Sequence, residues 1–500
     1  MNRSFAAFVS AVLSAFASVV PARGDEPSKI AEPTARVPVA TAFVHVSVID
    51  VVLGKAIADR TVIVEGAAIR SVGDSASAVV PPGARVFDGS GKYLIPGLWD
   101  MHVHSADLST LPLFVANGIT GVRVMWGNPG LGGLLKQHFT LRERIERGVV
   151  VGPKLVVASN IMDGAKPIWP GSLAIKTEAE ARDAVQKAKK EGADFIKVYS
   201  GLGRAEFLAI ADEAKKLGIP FAGHVPYSVS AAVASDAGQK SLEHLFGVRL
   251  GCSREEDELI SKREEILKNT KVLEFFKTLL RQEAESDRSR DPAKTRALFE
   301  KFKKNGTFIC PTLTVLEATS RLDDVKFIAD PRLKYMNSYI RAFWDPRKNP
   351  VFHEMKAEDY EGARNNFTAA LQLTGELHRA GVSLLAGTDE MNPYCFPGFS
   401  LHDELILLTR AGLSPADALR CATINPARFF GFEAKRGTIE PGKVADLVLL
   451  DANPLESIAA TKAIRAVVLA GKPFDRAELD RILAEAEASA QKGGGPTAPK

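Results

Sequence analysis

Cysteine is scarce in this chain, and its spacing excludes two kinds of small fold. The 500 residues include four cysteines, Cys252, Cys310, Cys395 and Cys421, and no two of them form a Cys-x-x-Cys pair. A zinc finger is built on such pairs, and a disulfide scaffold needs a higher density of cysteine. One or two disulfides remain open, because the sequence alone does not pair these residues.

An excess of one charge is also missing. The chain carries 64 Lys+Arg against 60 Asp+Glu, a formal net charge of +4, which gives no reason to expect a nucleic-acid partner. A hydrophobic fraction of 46% and a charged fraction of 25% are typical of globular proteins and exclude the disordered and fibrous classes. The length suggests two or more domains, although an α/β barrel can exceed about 250 residues as one unit.

Long apolar runs are absent after the first 22 residues. Residues 1–22 carry Arg3 near the start, continue with an uncharged apolar stretch, and end in Val20-Pro21-Ala22, which fits a cleavage site. This pattern predicts a signal peptide, and a membrane anchor is the alternative. We therefore expect a periplasmic or secreted protein that does not remain on the membrane after cleavage.

Two β-rich pieces flank the middle of the chain. Residues 43–50 alternate apolar with polar side chains, and β-branched runs follow at 61–66 and 68–73. Residues 445–451 and 466–471 have the same character near the other end. We predict that residues 35–90 and 431–475 form one small β-sandwich domain built from both chain ends.

Residues 91–430 alternate short apolar runs with helical stretches, which indicates βαβ units and a parallel sheet. Eight strands are predicted, at 93–103, 121–125, 154–158, 194–199, 220–224, 240–244, 307–311 and 382–388. Helices are predicted between them, for example at 177–191, 204–217 and 359–379. Eight such units predict an α/β fold of the (β/α)8 TIM-barrel type.

Two stretches are too long for plain barrel connections. Residues 247–305 are highly charged and helix-like, and residues 316–376 contain Trp344, Pro346 and Pro350. Long excursions after late barrel strands usually cover the active site, because barrel chemistry takes place at the carboxyl ends of the strands. We expect both excursions to be largely helical. Residues 476–500 are predicted to form one helix and a disordered tail.

Six polar residues lie at the ends of five predicted strands, and they are His102, His104, Lys197, His224, His244 and Asp389. His102 and His104 are two apart in a strand, so they face one side and can chelate one divalent metal. Lys197 lies inside an apolar run, where a cation is costly unless something uses it. Each histidine or aspartate alone is better explained by packing or surface exposure, and for Lys197 alone an edge position with its amine at the surface is an equal alternative. A barrel brings all these strand ends to one point, so the set predicts one functional site.

The order H-x-H, Lys, His, His, Asp on strands one, four, five, six and eight resembles the metal-dependent amidohydrolase superfamily. The segments 94–104, 118–123, 411–427 and 437–447 are similar to that superfamily as well. The resemblance covers about residues 42–473. Within the superfamily the chain looks most like the imidazolonepropionase-like and prolidase-like branch, whose members include Xaa-Pro-type dipeptidases and related amide hydrolases.

This resemblance implies two divalent metal ions, with Zn²⁺ the first choice for nitrogen and oxygen ligands and Mn²⁺, Co²⁺ or Fe²⁺ as rivals. It assigns His102, His104 and Asp389 to one metal and His224 and His244 to the other. In the superfamily the lysine of strand four, here Lys197, carries a CO2-derived carbamate that bridges the metals. A bridging hydroxide then attacks the substrate carbonyl, and Asp389 passes a proton to the leaving amine.

Evidence for the substrate is thinner. Tyr199, Tyr227, Arg123 and Trp126 lie near strand ends and are candidate substrate contacts, with ordinary packing as the alternative for each. We expect an extracytoplasmic, metal-dependent hydrolase of C–N amide bonds, dipeptidase-like or prolidase-like, whose partner is a small amide or dipeptide. The alternatives are a hydrolase of a cyclic amide or another small amide or ester, and a noncatalytic binding protein on the same scaffold. A homo-oligomer remains open.

Overall fold

A computed structural model of the chain describes residues 40–127, 137–169, 171–269, 272–349 and 352–492. The predicted signal peptide and the predicted disordered end of the tail lie outside these residues. In chain order the strands are β1 (Ala40–Asp50), β2 (Lys55–Glu65), β3 (Ala68–Asp74), β4 (Arg85–Asp88), β5 (Tyr93–Pro96), β6 (Leu98–Val103), β7 (Ile119–Val124), β8 (Lys154–Asp163), β9 (Leu173–Ala174), β10 (Phe195–Val198), β11 (Phe221–Gly223), β12 (Ser241–Glu243), β13 (Phe308–Cys310), β14 (Leu447–Leu450), β15 (Ile464–Leu469) and β16 (Lys472–Asp475).

The helices follow the same order. They are α1 (Leu111–Ala116), α2 (Gln137–Glu146), α3 (Glu178–Lys190), α4 (Arg204–Leu217), α5 (Ala231–Asp236), α6 (Val248–Gly251), α7 (Glu256–Asn269), α8 (Val272–Arg288), α9 (Pro292–Asn305), α10 (Leu313–Ser320), α11 (Ser338–Trp344), α12 (Ala357–Arg379), α13 (Phe399–Arg410), α14 (Pro415–Ala422), α15 (Ile424–Phe430) and α16 (Arg476–Lys492). Short 3-10 turns lie at Pro331–Tyr335, Phe352–Glu354 and Ile458–Lys462. Among the described residues, no helix is both long and apolar enough to cross a membrane.

The small domain is a mixed sheet that joins both ends of the chain. Its strand order is β16-β15-β14-β5-β1-β2-β3, and β4 pairs with β1. The C-terminal strand β14 runs antiparallel to β5, with Leu447 opposite Pro96. Buried Phe43, Val62 and Leu447 belong to the apolar core on this sheet. The domain therefore needs residues from both ends of the chain.

Gly97 divides the predicted first barrel strand, 93–103, into β5 and β6. A Cβ at Gly97 would lie 2.2 Å from Oγ1 of Thr120, so only glycine allows this close approach. Before Gly97 the chain pairs with the small sheet, and after it the chain pairs with β7 of the barrel. The small sheet thus extends past residue 90, where the domain boundary was expected.

The barrel strands run in the order β6-β7-β8-β10-β11-β12-β13, and all neighbouring pairs are parallel. The predicted eighth strand, 382–388, is not a regular strand, but its backbone bonds to both edges. The backbone N–H of Leu385 donates to the carbonyl of Ile309 in β13, and the N–H of Met101 in β6 donates to the carbonyl of Ala386, each at 2.9 Å. The segment therefore closes the barrel, and the predicted (β/α)8 fold with a separate sheet domain is confirmed.

Two helical insertions follow the last barrel strands. Helices α6–α9 lie between β12 and β13, and α10–α12 lie between β13 and the closing segment. Trp344 is fully buried in the second insertion, with its ring 5.1 Å from Phe396 and 5.8 Å from Tyr394. All four cysteines are buried and free, so none of the disulfides that the sequence left open is formed.

Candidate active site

The six predicted site residues come together at the carboxyl ends of the barrel strands. His102 lies in β6 and Lys197 in β10, His224 and His244 follow β11 and β12, and Asp389 ends the closing segment. The ring centroids of His102 and His244 are 4.6 Å apart, those of His224 and His244 are 4.8 Å apart, and those of His102 and His104 are 5.1 Å apart. Residues from five separate segments therefore form one cluster.

Asp389 lies among the histidines. Its Oδ1 accepts a hydrogen bond from Nε2 of His104 at 2.7 Å and lies 3.2 Å from Nε2 of His102, while Oδ2 is 3.8 Å from Nδ1 of His244. Burial acts to raise the pKa of Asp389, but the charge of His244 and the hydrogen bond from His104 outweigh it, so the pKa is lowered. The carboxylate is thus ionised at neutral pH and can accept a proton.

Three neighbouring side chains, Glu243, Ser200 and Thr312, each orient one of the imidazole rings. Nδ1 of His102 donates to Oε2 of Glu243 at 2.8 Å. Nδ1 of His224 is 2.7 Å from the Ser200 hydroxyl, and Nδ1 of His244 is 2.7 Å from the Thr312 hydroxyl. Partners of this kind fix the tautomer and direction of a metal-ligating histidine.

Sequence reasoning missed these partners. Glu243 could have been noticed, because a carboxylate inside an apolar strand needs a partner just as Lys197 does. Ser200 and Thr312 carry no signal in the sequence, since a hydroxyl in a loop is common. Asp100 was missed as well: it is fully buried and accepts hydrogen bonds from the backbone of His102 and Thr388.

Arg123 does not contact the cavity, contrary to the expectation that it touches substrate. Its guanidinium is fully buried and donates to both carboxylate oxygens of Glu243 at 2.9 Å, to Ser241 at 2.7 Å and to the carbonyl of Met101 at 2.5 Å. These bonds use the charge of Arg123 to hold Glu243 against His102. Arg123 is therefore a positioning residue on the inner side of the site.

Lys197 is fully buried, and its Nζ has no hydrogen-bond partner among the described residues. Burial lowers its pKa to about 8, although Glu243 and Asp389 act in the opposite direction. Gly223, at φ +139°, allows the neighbouring strand to approach: a Cβ there would lie 2.2 Å from the Val198 carbonyl and 3.1 Å from Cδ of Lys197. The site thus holds an amine in a position where its cation is poorly stabilised.

The donor set fits divalent metal ions. His102 donates from Nδ1, so its Nε2 carries a lone pair, and this atom faces Oδ1 of Asp389 at 3.2 Å without forming a hydrogen bond. Two acceptor atoms this close repel each other unless a cation lies beside them. Ligand atoms of His102, His244 and Asp389 all lie within 4.8 Å of one another. Burial also lowers the pKa of His102 and His224, which keeps their rings neutral and able to bind metal.

A second group of possible ligands, His102, Glu243 and Cys310, is less suited to a metal. Both oxygens of Glu243 are already held by Arg123. Burial raises the pKa of the Cys310 thiol well above its usual range, so the thiolate is disfavoured.

The site opens into a cavity of about 350 Å³ with aromatic walls. Three of the predicted substrate contacts, Trp126, Tyr199 and Tyr227, line it. The Tyr199 ring stacks on His224 at 4.0 Å, and its hydroxyl accepts a 2.6 Å hydrogen bond from Nε1 of Trp169. A substrate in this cavity would lie between aromatic rings and the histidine cluster.

Comparisons with known proteins agree with this arrangement. The model for the amidohydrolase family matches residues 93–474. An imidazolonepropionase from Symbiobacterium thermophilum is 39% identical over 71 residues, which are 14% of this chain and only 16% of that protein.

Two solved structures share the fold. A proposed prolidase from Bifidobacterium longum has a TM-score of 0.64 and 24% identity, covering 90% of this chain and 100% of that one. A Xaa-Pro dipeptidase with bound methionine in the active site has a TM-score of 0.63 and 19% identity, covering 87% of this chain and 100% of that one. At these low identities the likeness shows the fold alone.

Proposed function

The chain belongs to the amidohydrolase family, and on that basis we propose that it hydrolyses a C–N amide bond of a small molecule with the help of divalent metal ions. The observation that carries this proposal is the cluster of His102, His104, His244 and Asp389 at the floor of the cavity, in which the lone pair on Nε2 of His102 faces Oδ1 of Asp389.

The residues that would hold the metal ions are those of the predicted set. His102, His104 and Asp389 would hold one, His224 and His244 the other, and Lys197 would join them once its amine has taken up CO2 as a carbamate. When bound, the metal ions polarise the substrate carbonyl and lower the pKa of a water molecule. Zn²⁺ is our first choice, because the ligand atoms are nitrogen and oxygen.

The side chains of the chain itself supply the remaining steps. Asp389 accepts a proton from the attacking water at its carboxylate as the C–O bond forms and the carbonyl carbon becomes tetrahedral. It then gives this proton to the leaving nitrogen, and the C–N bond breaks. Glu243, Ser200 and Thr312 hold the rings of His102, His224 and His244 in place. The aromatic walls exclude bulk water from the reacting atoms.

A dipeptide-sized amide is the first substrate class to test. Support comes from the cavity volume and from the prolidase-like and dipeptidase-like fold neighbours. A cyclic amide is the second candidate, because the imidazolonepropionase is 39% identical over its short matching segment. We also propose that the enzyme acts outside the cytoplasm, on the basis of the apolar N-terminal segment with Arg3 and Ala22.

The test is metal analysis of the purified protein combined with hydrolysis assays on a dipeptide library and on cyclic amides. We expect metal bound at the cluster and release of an amine from at least one substrate class. A protein that binds these molecules without cleaving any of them, with metal bound, would instead be a binding protein on this scaffold.

A further inference from the structure

The roof of the cavity is built from charged residues that are already paired. Helices α6, α7 and α8 contribute Arg249, Arg263, Lys277 and Glu283, and α12 contributes Asp359, all of which line the cavity. A lysine or arginine in a substrate cavity can bind a substrate carboxylate only when no carboxylate of the protein already pairs with it.

Glu283 lies between two guanidinium groups, and with Asp287 it balances their charge. Its Oε1 accepts a 2.6 Å hydrogen bond from Arg263, and its Oε2 lies 3.4 Å from Nε of Arg249. Asp287 forms a further ion pair with Arg249. The Arg263 side chain is only 3% exposed and the Arg249 side chain 6%, so neither is screened by bulk water. The pairs are therefore strong, and breaking one would leave a buried charge alone.

Lys277 is paired in the same way. Its Nζ lies 2.9 Å from Oδ2 of Asp359, and the two side chains are 14% and 13% exposed. Among the described residues that line the cavity, each lysine or arginine thus has a carboxylate partner. Lys197 does not line the cavity and belongs to the proposed metal centre.

Most of the other roof residues are apolar, and they are Leu279, Leu280, Val315, Leu316, Phe343, Phe352 and Met355. The polar residues of the roof besides the charged ones are Thr319, Asn349 and Asn366, which carry no charge. The cavity of about 350 Å³ lies within the range of small-molecule pockets, about 300–1,000 Å³, and can take a dipeptide-sized molecule. A free carboxylate in this space would have to displace Glu283 or Asp359 from its cation, and the displaced carboxylate would then be buried without a partner.

We propose that the cavity selects amides that carry bulky apolar groups and no free carboxylate, such as dipeptide-sized molecules whose carboxyl end is blocked as an amide. Glu283 and Asp359 are the specificity determinants, because they occupy the cations that would otherwise bind a substrate carboxylate. The inference rests on the proposed amide hydrolysis and narrows its substrate class.

The test compares Leu-Phe with Leu-Phe amide, whose carboxamide is close in size to the carboxylate but carries no charge, by measuring the release of leucine. We expect kcat/KM to be at least tenfold higher for the blocked substrate. In Glu283→Gln and in Asp359→Asn a cation becomes free, so this preference should shift at least tenfold toward the free carboxylate. Asp323→Asn is the matched control, because Asp323 pairs with Arg364 of α12 but does not line the cavity, and its preference should equal that of the wild type.

A binding measurement separates this inference from the proposed function. Hydrolysis-resistant forms of both substrates, with a ketomethylene group in place of the scissile amide, are titrated into the protein while its tryptophan fluorescence is recorded, since the rings of Trp126 and Trp169 line the cavity. Tighter binding of the blocked form supports the inference even if no substrate is cleaved, an outcome that would count against amide hydrolysis alone.

Equal or better binding and turnover of free Leu-Phe by the wild type would overturn the inference while leaving amide hydrolysis intact. If circular dichroism shows that Glu283→Gln does not fold, Asp359→Asn and the wild-type comparison still decide.

Discussion

Lys197 combines two properties that rarely occur together in a folded protein. It is fully buried, and its amine has no hydrogen-bond partner among the described residues. With the pKa lowered to about 8 by burial, a useful fraction of the amine is neutral near physiological pH and can react with CO2. The resulting carbamate would be an anion beside the histidines proposed to hold metal ions, and those cations would compensate for its burial.

Replacing Lys197 by alanine should therefore remove the bridging anion. We expect the metal content to fall from two per chain to one or none and nearly all activity to be lost. Short carboxylic acids should restore both in part, because they can replace the carbamate oxygens. Lys197→Arg should lack metal and activity in the same way, since a guanidinium stays protonated and does not take up CO2. Metal analysis decides: one metal in both wild type and Lys197→Ala, with activity retained, would refute the bridge.

Glu243 acts on the metal site through His102, and Arg123 acts through Glu243. In Glu243→Gln the guanidinium of Arg123 loses its buried counter-ion, which should cost about 3–5 kcal/mol of stability. Metal affinity should fall by about 10- to 100-fold, because His102 loses the carboxylate that orients it.

The double variant Arg123→Met/Glu243→Gln separates these effects. Urea unfolding should show most of the stability restored, while metal titration should show that the affinity stays low. If the double variant regained full affinity, orientation of His102 by Glu243 would be excluded.

His402 of α13 shows how a buried histidine makes the fold sensitive to acid. Its ring nitrogens lie 3.0 Å from the Thr461 hydroxyl and 3.1 Å from the Asn117 carbonyl, and burial lowers its pKa from 6.5 to about 4. The folded state therefore favours the neutral ring. In the unfolded chain His402 binds a proton more tightly. Its contribution to the free energy of unfolding is therefore complete above pH about 6.5 and falls by up to about 3 kcal/mol as the pH drops toward 4.

In His402→Gln this acid-dependent loss of stability should be absent, because glutamine does not titrate in this range. The measurement is the midpoint of urea unfolding between pH 7.5 and 4.5 for both proteins. The variant should be less stable at pH 7.5, and the gap should narrow with falling pH. A gap that stays constant would mean that the proton binds both states equally.

At the level of elements, the helical insertions α7 and α8 supply much of the cavity roof. Their ends lie close together: the Ser253 and Ser289 hydroxyls are 2.6 Å apart, and the backbone of Arg254 donates to Ser289 at 2.9 Å. The pair of helices can therefore be removed and the gap closed with a short linker without stretching the barrel.

Deleting residues 255–288 in this way should leave bound metal largely unchanged, because the deleted segment contains none of the six predicted ligands. KM should rise or activity should be abolished, since the cavity loses Arg263, Lys277, Leu279 and Glu283. Replacing only the exposed turn around Gly442, far along the chain in the small domain, serves as a control for the effect of loop surgery. Unchanged kinetics on every substrate found would show that the helices do not cover the site.

The sequence predicted helices and strands correctly where one hydrophobic periodicity runs through the whole element. It missed features that depend on contacts between residues distant along the chain. The helix predicted at 204–217 has the observed bounds of α4, because Gly203 and Gly218 mark its two ends. The strand predicted at 93–103 was wrong as one element, since the run stays apolar across Gly97 while its pairing partner changes. The ligand candidates could be read from strand ends, whereas the role of Arg123 depends on Glu243, which is distant along the chain.

On the scale of the whole molecule, both chain ends meet in one sheet. Strand β14 lies between β5 and β15, so the C-terminal piece completes a sheet that the N-terminal piece begins. The first described strand starts at Ala40, beyond the proposed cleavage point, and the four buried cysteines are free, so no disulfide holds the described fold together.

Export can therefore be tested without disturbing the fold. The apolar segment with Arg3 and the Val20-Pro21-Ala22 sequence predict cleavage after Ala22, so N-terminal sequencing of the exported protein should begin at Arg23. Ala22→Leu should slow cleavage, because the site requires a small residue, and unprocessed chains should accumulate on the membrane. The described fold begins beyond the cut, so a chain produced from Arg23 onward should bind metal and turn over substrate as the exported protein does. A stable mature form that keeps residues 5–20 in the membrane would instead establish the anchor.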